Sequence, residues 1–254
     1  MTYPKEDRFY FGHHKCASNW MSAMIQQFCR GHGWGFEVID RPNLPRFDAR
    51  DNKPTFHIRR GAHFHHTDIL EPGHKAFQLI RDPRDALVSG YWSWRKSHEN
   101  NTEKILKTRE QLNTLPVEDG LIIMLDNLIM LEGLRDWPIG QIPAILDVRY
   151  EDMLADTPGV FATIFNHLEV ELSSADIDRL VTNTSFESLT GRKPGQEDTS
   201  NHFRKGIAGD WKNAFTPKVA RAFKDRFQPD LVRLGYETDD TWVDLVAADH
   251  AASH

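Results

Sequence analysis

The chain has 254 residues, enough to bury one sizeable core, so a single α/β domain is the expected size. A net charge of −6 argues against general binding to nucleic acid or an anionic membrane, and leaves room for a local basic site. Two cysteines, Cys16 and Cys29, give no disulfide framework and fit a reducing, cytoplasmic setting.

The first apolar run, Arg8–Gly12, reads as a short buried strand. Beyond it Trp20, Met21, Met24, Ile25 and Phe28 recur at helical spacing. The intervening loop, with Lys15, Cys16, Ala17, Ser18 and Asn19, therefore turns a strand into a helix. Such a loop faces the free N–H groups and positive dipole end of the helix, a natural place for an anion. An ordinary βα turn with an exposed lysine is the plainer alternative. The spelling is not the usual Walker pattern, since no second glycine precedes Lys15 and Cys16 stands where a magnesium-binding Ser or Thr would follow.

Further strands are predicted at Phe36–Ile39, Thr55–Ile58, Ala76–Ile80 and Ala144–Val148, with helical patterns between several of them. The alternation predicts a mostly parallel sheet of about five strands flanked by helices. After the third strand comes FHIRRGAHFHHTDIL, with His63, His65 and His66. Histidine suits general-base work near neutral pH. If the strand continued, His63 and His65 would share a face, which opens a metal reading; no nearby carboxylate or cysteine completes a ligand set.

The stretch LIRDPRDALVSGY repeats the opening logic: a strand ends at Arg81 and Asp82–Pro83 starts a helix. Ser89, seven residues past the cap, returns two turns later to the side where Arg81 emerges. A guanidinium fork and a hydroxyl there suit a phosphate, while pairing of Arg81 with Asp85 is the structural alternative. Residues 97–119 are polar and charged and read as a surface helix pair or a mobile flap. Leu121–Leu134 is the most apolar stretch, but Asp126, Asn127 and Glu132 make it a buried amphipathic helix and not a membrane span. Helix starts are marked at Asp156–Pro158, at Ser173 or Ser174, and at Thr216–Pro217. Residues 191–201 form a polar loop expected to order on a ligand. Arg204 and Lys205 stand directly before Gly206, where backbone can approach a ligand closely. The small-residue tail from Ala247 to His254 is expected to fray.

Taken together, these stretches resemble the PAPS-dependent sulfotransferases. HHKCASNW is similar to the phosphosulfate-binding loop K-S-G-T-T-W, RDPRDALVS to the 3′-phosphate motif, NTSFES to the adenine segment and RKGIAGDWKNAFT to the C-terminal signature; RYEDMLADTP also matches. They run in the family's order from residue 8 to about 216. The resemblance implies one α/β domain over 1–254 with a P-loop-like strand-loop-helix, and PAPS as cosubstrate with PAP as product, without a required metal. It implies that Lys15, Cys16, Ala17, Ser18 and Asn19 hold the 5′-phosphosulfate. Arg81, Ser89, Arg204, Lys205 and Gly206 would hold the 3′-phosphate, and Trp20, Tyr150, Thr184 and Phe186 would surround adenine. Lys15 would neutralise the leaving group, with Ser89 engaging it beforehand.

Three departures bear on this implied chemistry. The family's K-T-H is not clearly matched, which leaves His63, then His65 and His66, as candidate bases, with Arg59 or Arg60 replacing the lysine. Ala17 replaces a glycine and is expected to hold a negative φ, and Asn19 replaces a threonine and still donates a hydrogen bond. The family's dimer signature keeps Lys212 and Thr216 but has Pro217 and Arg221 at its valine and glutamate positions. The implied acceptor is a small molecule or carbohydrate bearing a hydroxyl or amine, met by loops around 59–67, 92–101 and 121–130, with Trp92 and Trp94 available for stacking. A nucleotide or sugar kinase and a noncatalytic nucleotide-binding protein are the alternatives.

Overall fold

The computed structural model describes residues 5–39, 46–98 and 102–252. The chain divides into two compact units, Met1–Arg81 with Glu132–Arg192, and Asp82–Leu131 with Lys193–His254.

The first unit carries the sheet. Its strands are β1 (Arg8–Gly12), β2 (Gly35–Ile39), β3 (Thr55–Arg60), β4 (Lys75–Ile80) and β5 (Ile145–Arg149), in the order β2-β3-β1-β4-β5 and parallel throughout. All five predicted strands are present, with bounds shifted by no more than two residues. β1 is central and buried along its whole length, as parallel strands covered on both faces are. Period-two alternation sorts its side chains. Tyr10 stacks on Phe77 at 4.8 Å and Phe77 meets Phe56 at 6.4 Å, on the face that leads through Trp34 to Phe28 of the helix Ser18–His32. Phe28 in turn packs at 4.8 Å on Phe165 of the helix Thr157–His167. On the opposite face Phe11 packs edge-on against Trp137 at 5.5 Å.

The strand order has a consequence for ligand binding. From β1 the chain moves to β2 and β3 on one side, then to β4 on the other, so β1 and β4 flank the point where the winding reverses. In open parallel sheets, ligands bind beyond the carboxyl ends of strands at such a point. The residues leaving β1 are 13–17, and the residue just beyond β4 is Arg81.

The second unit is helical. Asp82 caps the helix Pro83–Trp92 by accepting from the Arg84 N–H at 2.9 Å, as expected from Asp-Pro. A single π-helical turn, Ser93–Ser97, follows, and Arg109 stitches its carbonyls by donating to Trp94 O at 2.7 Å and His98 O at 2.6 Å. The polar stretch from 97 holds the helix Glu103–Thr114 and the start of the helix Val117–Met124, the expected helix pair; residues 99–101 lie outside the described residues. Gly120 lets these elements approach, because a Cβ there would lie 2.5 Å from the Tyr91 ring.

Two expectations are corrected. The span 121–134 is not one helix: a 3-10 turn at Leu125–Asn127 separates Val117–Met124 from Ile129–Leu134, and Leu128 has ψ 65. The Asn127 amide donates to the Ile123 carbonyl at 3.3 Å, the local competition with backbone bonding that makes asparagine a poor helix-interior residue. The tail does not fray from 247, because the helix Trp242–Ala252 is anchored by buried Trp242, Val243 and Val246; 253 and 254 lie outside the described residues. The caps at Asp156, Ser173 and Thr216 are where the sequence puts them.

Candidate active site

In the first unit, the loop after β1 folds on its own backbone. Cys16 N–H donates to His13 O at 3.2 Å, and the Ser18 hydroxyl donates to the same carbonyl at 3.0 Å. Lys15 and Ala17 both adopt left-handed backbone, with φ 64 and φ 53. This corrects the expectation of a negative φ at Ala17. The turn demands the αL conformation here whether or not glycine is present, and an L-residue held there costs about 1–3 kcal/mol. Ala17 is the N-cap of Ser18–His32 and makes no side-chain cap bond. Ala17→Gly is expected to raise stability by about 1 kcal/mol, or about 2–4 °C in Tm; a lower Tm would show that the strain is not there.

Arg81 reaches this loop. It is buried, one terminal nitrogen donates to Lys15 O at 3.3 Å, and its guanidinium carbon lies 4.6 Å from the Tyr150 ring centroid. Tyr150 meets Trp20 edge-on at 6.3 Å. The first unit therefore brings together Lys15, Trp20, Arg81 and Tyr150, four of the residues singled out from sequence. Asn19 is exposed, and Cys16 is fully buried with its thiol pushed up to about 12 by burial, so it packs and does not react. Thr184 is buried and its hydroxyl donates to Leu180 O at 2.7 Å within its own helix, while Phe186 carries the Arg192 guanidinium at 5.2 Å.

β3 stops at Arg60, opposite Gly12, and His63 precedes a 3-10 turn at Phe64–Ile69. His63 and His65 therefore do not share a strand face, although their rings stack with centroids 5.7 Å apart. Both nitrogens of the His66 ring face donors, the His63 N–H 2.9 Å from Nδ1 and an Arg59 amino nitrogen 2.6 Å from Nε2, of which a neutral ring can accept from one. Burial, and then the Arg59 charge, hold its pKa down at about 4. Of the three candidates His66 is thus the one with donors facing both ring nitrogens.

His13 has a structural role. It is fully buried, with Nε2 2.6 Å from the Gln78 carboxamide oxygen, and the Gln78 amide donates on to Asp147. Burial lowers its pKa to about 4. In the unfolded chain this group takes up a proton near pH 6.5, so between about 6.5 and 4 the unfolded state binds more protons and stability falls as pH falls. The loss is expected to approach about 3 kcal/mol at the acid end. Denaturant midpoints for wild type and His13→Gln across pH 7.5 to 4.5 check this: the two slopes should differ, and parallel slopes would contradict it.

In the second unit, Ser89 lies half-buried on Pro83–Trp92, two turns from its cap. Arg204 and Lys205 converge on Asp210. Lys205 Nζ donates to Asp210 at 2.6 Å, Asn213 donates at 3.2 Å, and one Arg204 amino nitrogen donates to it as well. Burial alone would raise the Asp210 carboxyl, but these partners hold it down at about 2. The second terminal nitrogen of Arg204 donates to Glu197. Asp85 fixes the adjoining turn, accepting from Gly209 N–H at 2.7 Å and Trp211 N–H at 2.9 Å. Gly206 has φ 65, a left-handed position that favours glycine. Trp94 is buried in this unit's core and Trp92 is half-buried. Sequence reasoning missed Glu197 and Asp210 and weighed Asp85 only as a partner of Arg81, whereas Asp85 accepts from Gly209 and Trp211; which cations and N–H groups these carboxylates meet is decided by the turns at 195–211.

Comparison with known proteins identifies the family. The family profile described as Sulfotransferase domain matches residues 47–235, so the chain belongs to the sulfotransferase family. It is 30% identical over 209 residues to Sulfotransferase 2A6 of Rattus norvegicus, covering 76% of this chain and 66% of the relative, and 30% identical over 164 residues to 3-alpha-hydroxysteroid sulfotransferase of Cavia porcellus, covering 61% and 55%. The chain thus spans somewhat under two thirds of the length of these relatives. Its fold is similar to that of mouse sulfotransferase SULT7A1 complexed with PAP (17% identity, TM-score 0.58, 96% of this chain and 90% of that one). Retinol dehydratase in complex with retinol and PAP is similar to a like degree (17%, 0.61, 91% and 82%).

Proposed function

We propose that this chain transfers a sulfuryl group from PAPS to a hydroxyl or amine of a small-molecule or carbohydrate acceptor, releasing PAP. The observation that carries the reading is the joining of two basic motifs at one loop: Arg81 donates to the carbonyl of Lys15 where the sheet's winding reverses. The family match begins at residue 47, so the role of Lys15 rests on this geometry and on the motif resemblance. The match runs through segments of both units, which supports reading them as one sulfotransferase domain. Two structural relatives are described as complexes with PAP, and one of them with retinol; a nucleotide with two phosphates and a small organic acceptor are the corresponding ligands here.

In this reading the 5′-phosphosulfate lies on the N–H groups of the 15–19 loop with Lys15. The 3′-phosphate is taken by Arg81, Ser89, Arg204, Lys205 and Gly206, and the adenine by Trp20, Tyr150, Thr184 and Phe186. The acceptor oxygen attacks sulfur as the bond from sulfur to the 5′-phosphate oxygen breaks. The acceptor proton passes to a histidine, His63 or His65, and the charge arriving on the leaving phosphate is met by Lys15. No step calls for a metal ion. Among the described residues no helix is long and apolar enough to cross a membrane. The two cysteines are free, as in proteins of a reducing cytoplasm.

Incubation with sulfur-labelled PAPS and a panel of phenols, alcohols, amines and sugars tests the reading. Label is expected in at least one acceptor, together with stoichiometric PAP. Tight PAP binding with no transfer to any acceptor class would instead favour a noncatalytic nucleotide-binding protein.

A further inference from the structure

Arg204 holds two carboxylates of unequal standing. Asp210 is 4% exposed, accepts from Arg204, Lys205 and Asn213, and sits next to the turn that Asp85 clamps through Gly209 and Trp211. The Glu197 side chain is 38% exposed and bonds Arg204 from a loop whose backbone is tied back by Gly195 N–H to Lys205 O at 2.8 Å and Asp198 N–H to Arg204 O at 2.9 Å. The loop thus presents Glu197 to the guanidinium of Arg204 while leaving the carboxylate open to water.

We propose that Glu197 is a positioning residue that competes with the nucleotide's 3′-phosphate for Arg204. A guanidinium receives a phosphate best through two parallel N–H bonds, and Arg204 has its two terminal nitrogens divided between carboxylates. Presenting both terminal nitrogens to a phosphate as a parallel pair means exchanging one of these carboxylates. Asp210 is the costly one to release, since it would be left buried and charged with Lys205 as its remaining cation. Glu197 is the cheap one, since it leaves for water and an exposed ion pair contributes little. Asp210 thereby keeps the guanidinium plane fixed while Glu197 gives way. The exchange lowers affinity for PAP, because every binding event first breaks the Glu197 bond and then places two phosphate charges near a displaced carboxylate. It also supplies the arginine with a partner as product leaves.

This inference rests on the assignment of Arg204 to the 3′-phosphate. The test is calorimetric titration of wild type, Glu197→Gln and Glu197→Ala with PAP and, separately, with adenosine 5′-phosphate, which lacks the 3′-phosphate. Both variants are expected to bind PAP about fivefold more tightly, with affinity for adenosine 5′-phosphate unchanged and with a steeper loss of PAP affinity on adding salt. Unchanged or weakened PAP binding would overturn the proposal, as would equal tightening for both nucleotides, which would mean a general charge effect. If wild type itself fails to bind PAP, the sulfotransferase reading fails first and takes this inference with it. That result is distinct from PAP binding that Glu197 does not alter.

Discussion

Lys15→Ala is expected to lower turnover by a factor of about 100 to 1,000, with PAP binding reduced much less. The asymmetry follows from when its charge is needed. In the ground state the sulfuryl and phosphate oxygens already share their charge and are held by several N–H groups; in the transition state charge gathers on the bridging oxygen as its bond to sulfur breaks. A preorganised ammonium at that oxygen gains strength along the reaction, and only such interactions raise the rate of the chemical step. In the proposed mechanism Lys15 supplies that ammonium, from a left-handed backbone position tied at its carbonyl by Arg81. Single-turnover measurement with labelled PAPS separates the chemical step from product release. A loss confined to nucleotide affinity would show that Lys15 only binds, and Lys15→Arg, which keeps the charge but not its position, should recover only part of the rate.

Arg84→Ala is expected to cost about 3–5 kcal/mol of stability, a large share of the roughly 5–15 kcal/mol that holds a typical domain folded. Arg84 is 3% exposed and joins three parts of the second unit. Its guanidinium bonds the buried Asp82 at 2.8 Å and reaches Glu237, while its carbon lies 3.9 Å from the Trp211 ring centroid and 4.9 Å from that of Trp242. Truncation would strand the Asp82 carboxylate without its cation and remove the plate between two tryptophans. Arg84→Lys keeps a charge but loses the fork and the stacking surface, and an intermediate loss is expected. Equilibrium unfolding in urea measures both; a loss below about 1 kcal/mol for Arg84→Ala would mean that the cluster is held by its aromatic contacts alone.

Much of this was legible in the sequence where local physics and tertiary structure agree. Asp82 and Pro83, Asp156 and Pro158, and Thr216 and Pro217 announce helix starts because the capping carboxyl or hydroxyl and the fixed proline φ act within one turn. The five strands were readable because buried parallel strands are short, almost wholly apolar runs between turn residues. The break inside 121–134 was not, since the apolar period persists through it and only the Asn127 side chain gives the local reason. Nor was the conformation of Ala17: an alanine in place of a glycine suggests a changed backbone, yet the turn from β1 into its helix imposes φ 53 all the same.

The candidate site was legible as a set of residues and not as a set of bonds. Lys15 and Arg81 stand out as cations at the ends of strands, and only the strand order shows that β1 and β4 are neighbours, bringing the two to one loop. In sequence His63 leads His65 and His66 only as the first histidine after the third strand. The 3-10 turn singles out His66, whose ring nitrogens face Arg59 and the His63 N–H. For Arg204 and Lys205 the sequence offered the cations without the carboxylates that hold them, because Asp210 and Glu197 come to them through turns that carry no periodic signal.

The most direct test of the two-phosphate assignment is calorimetric titration with PAP and with ATP plus magnesium, for wild type and Arg81→Ala. The account predicts tight binding of PAP that the substitution abolishes, with ATP much weaker. Binding of ATP with magnesium in preference to PAP would contradict it and return the loop around Lys15 to the nucleotide kinases.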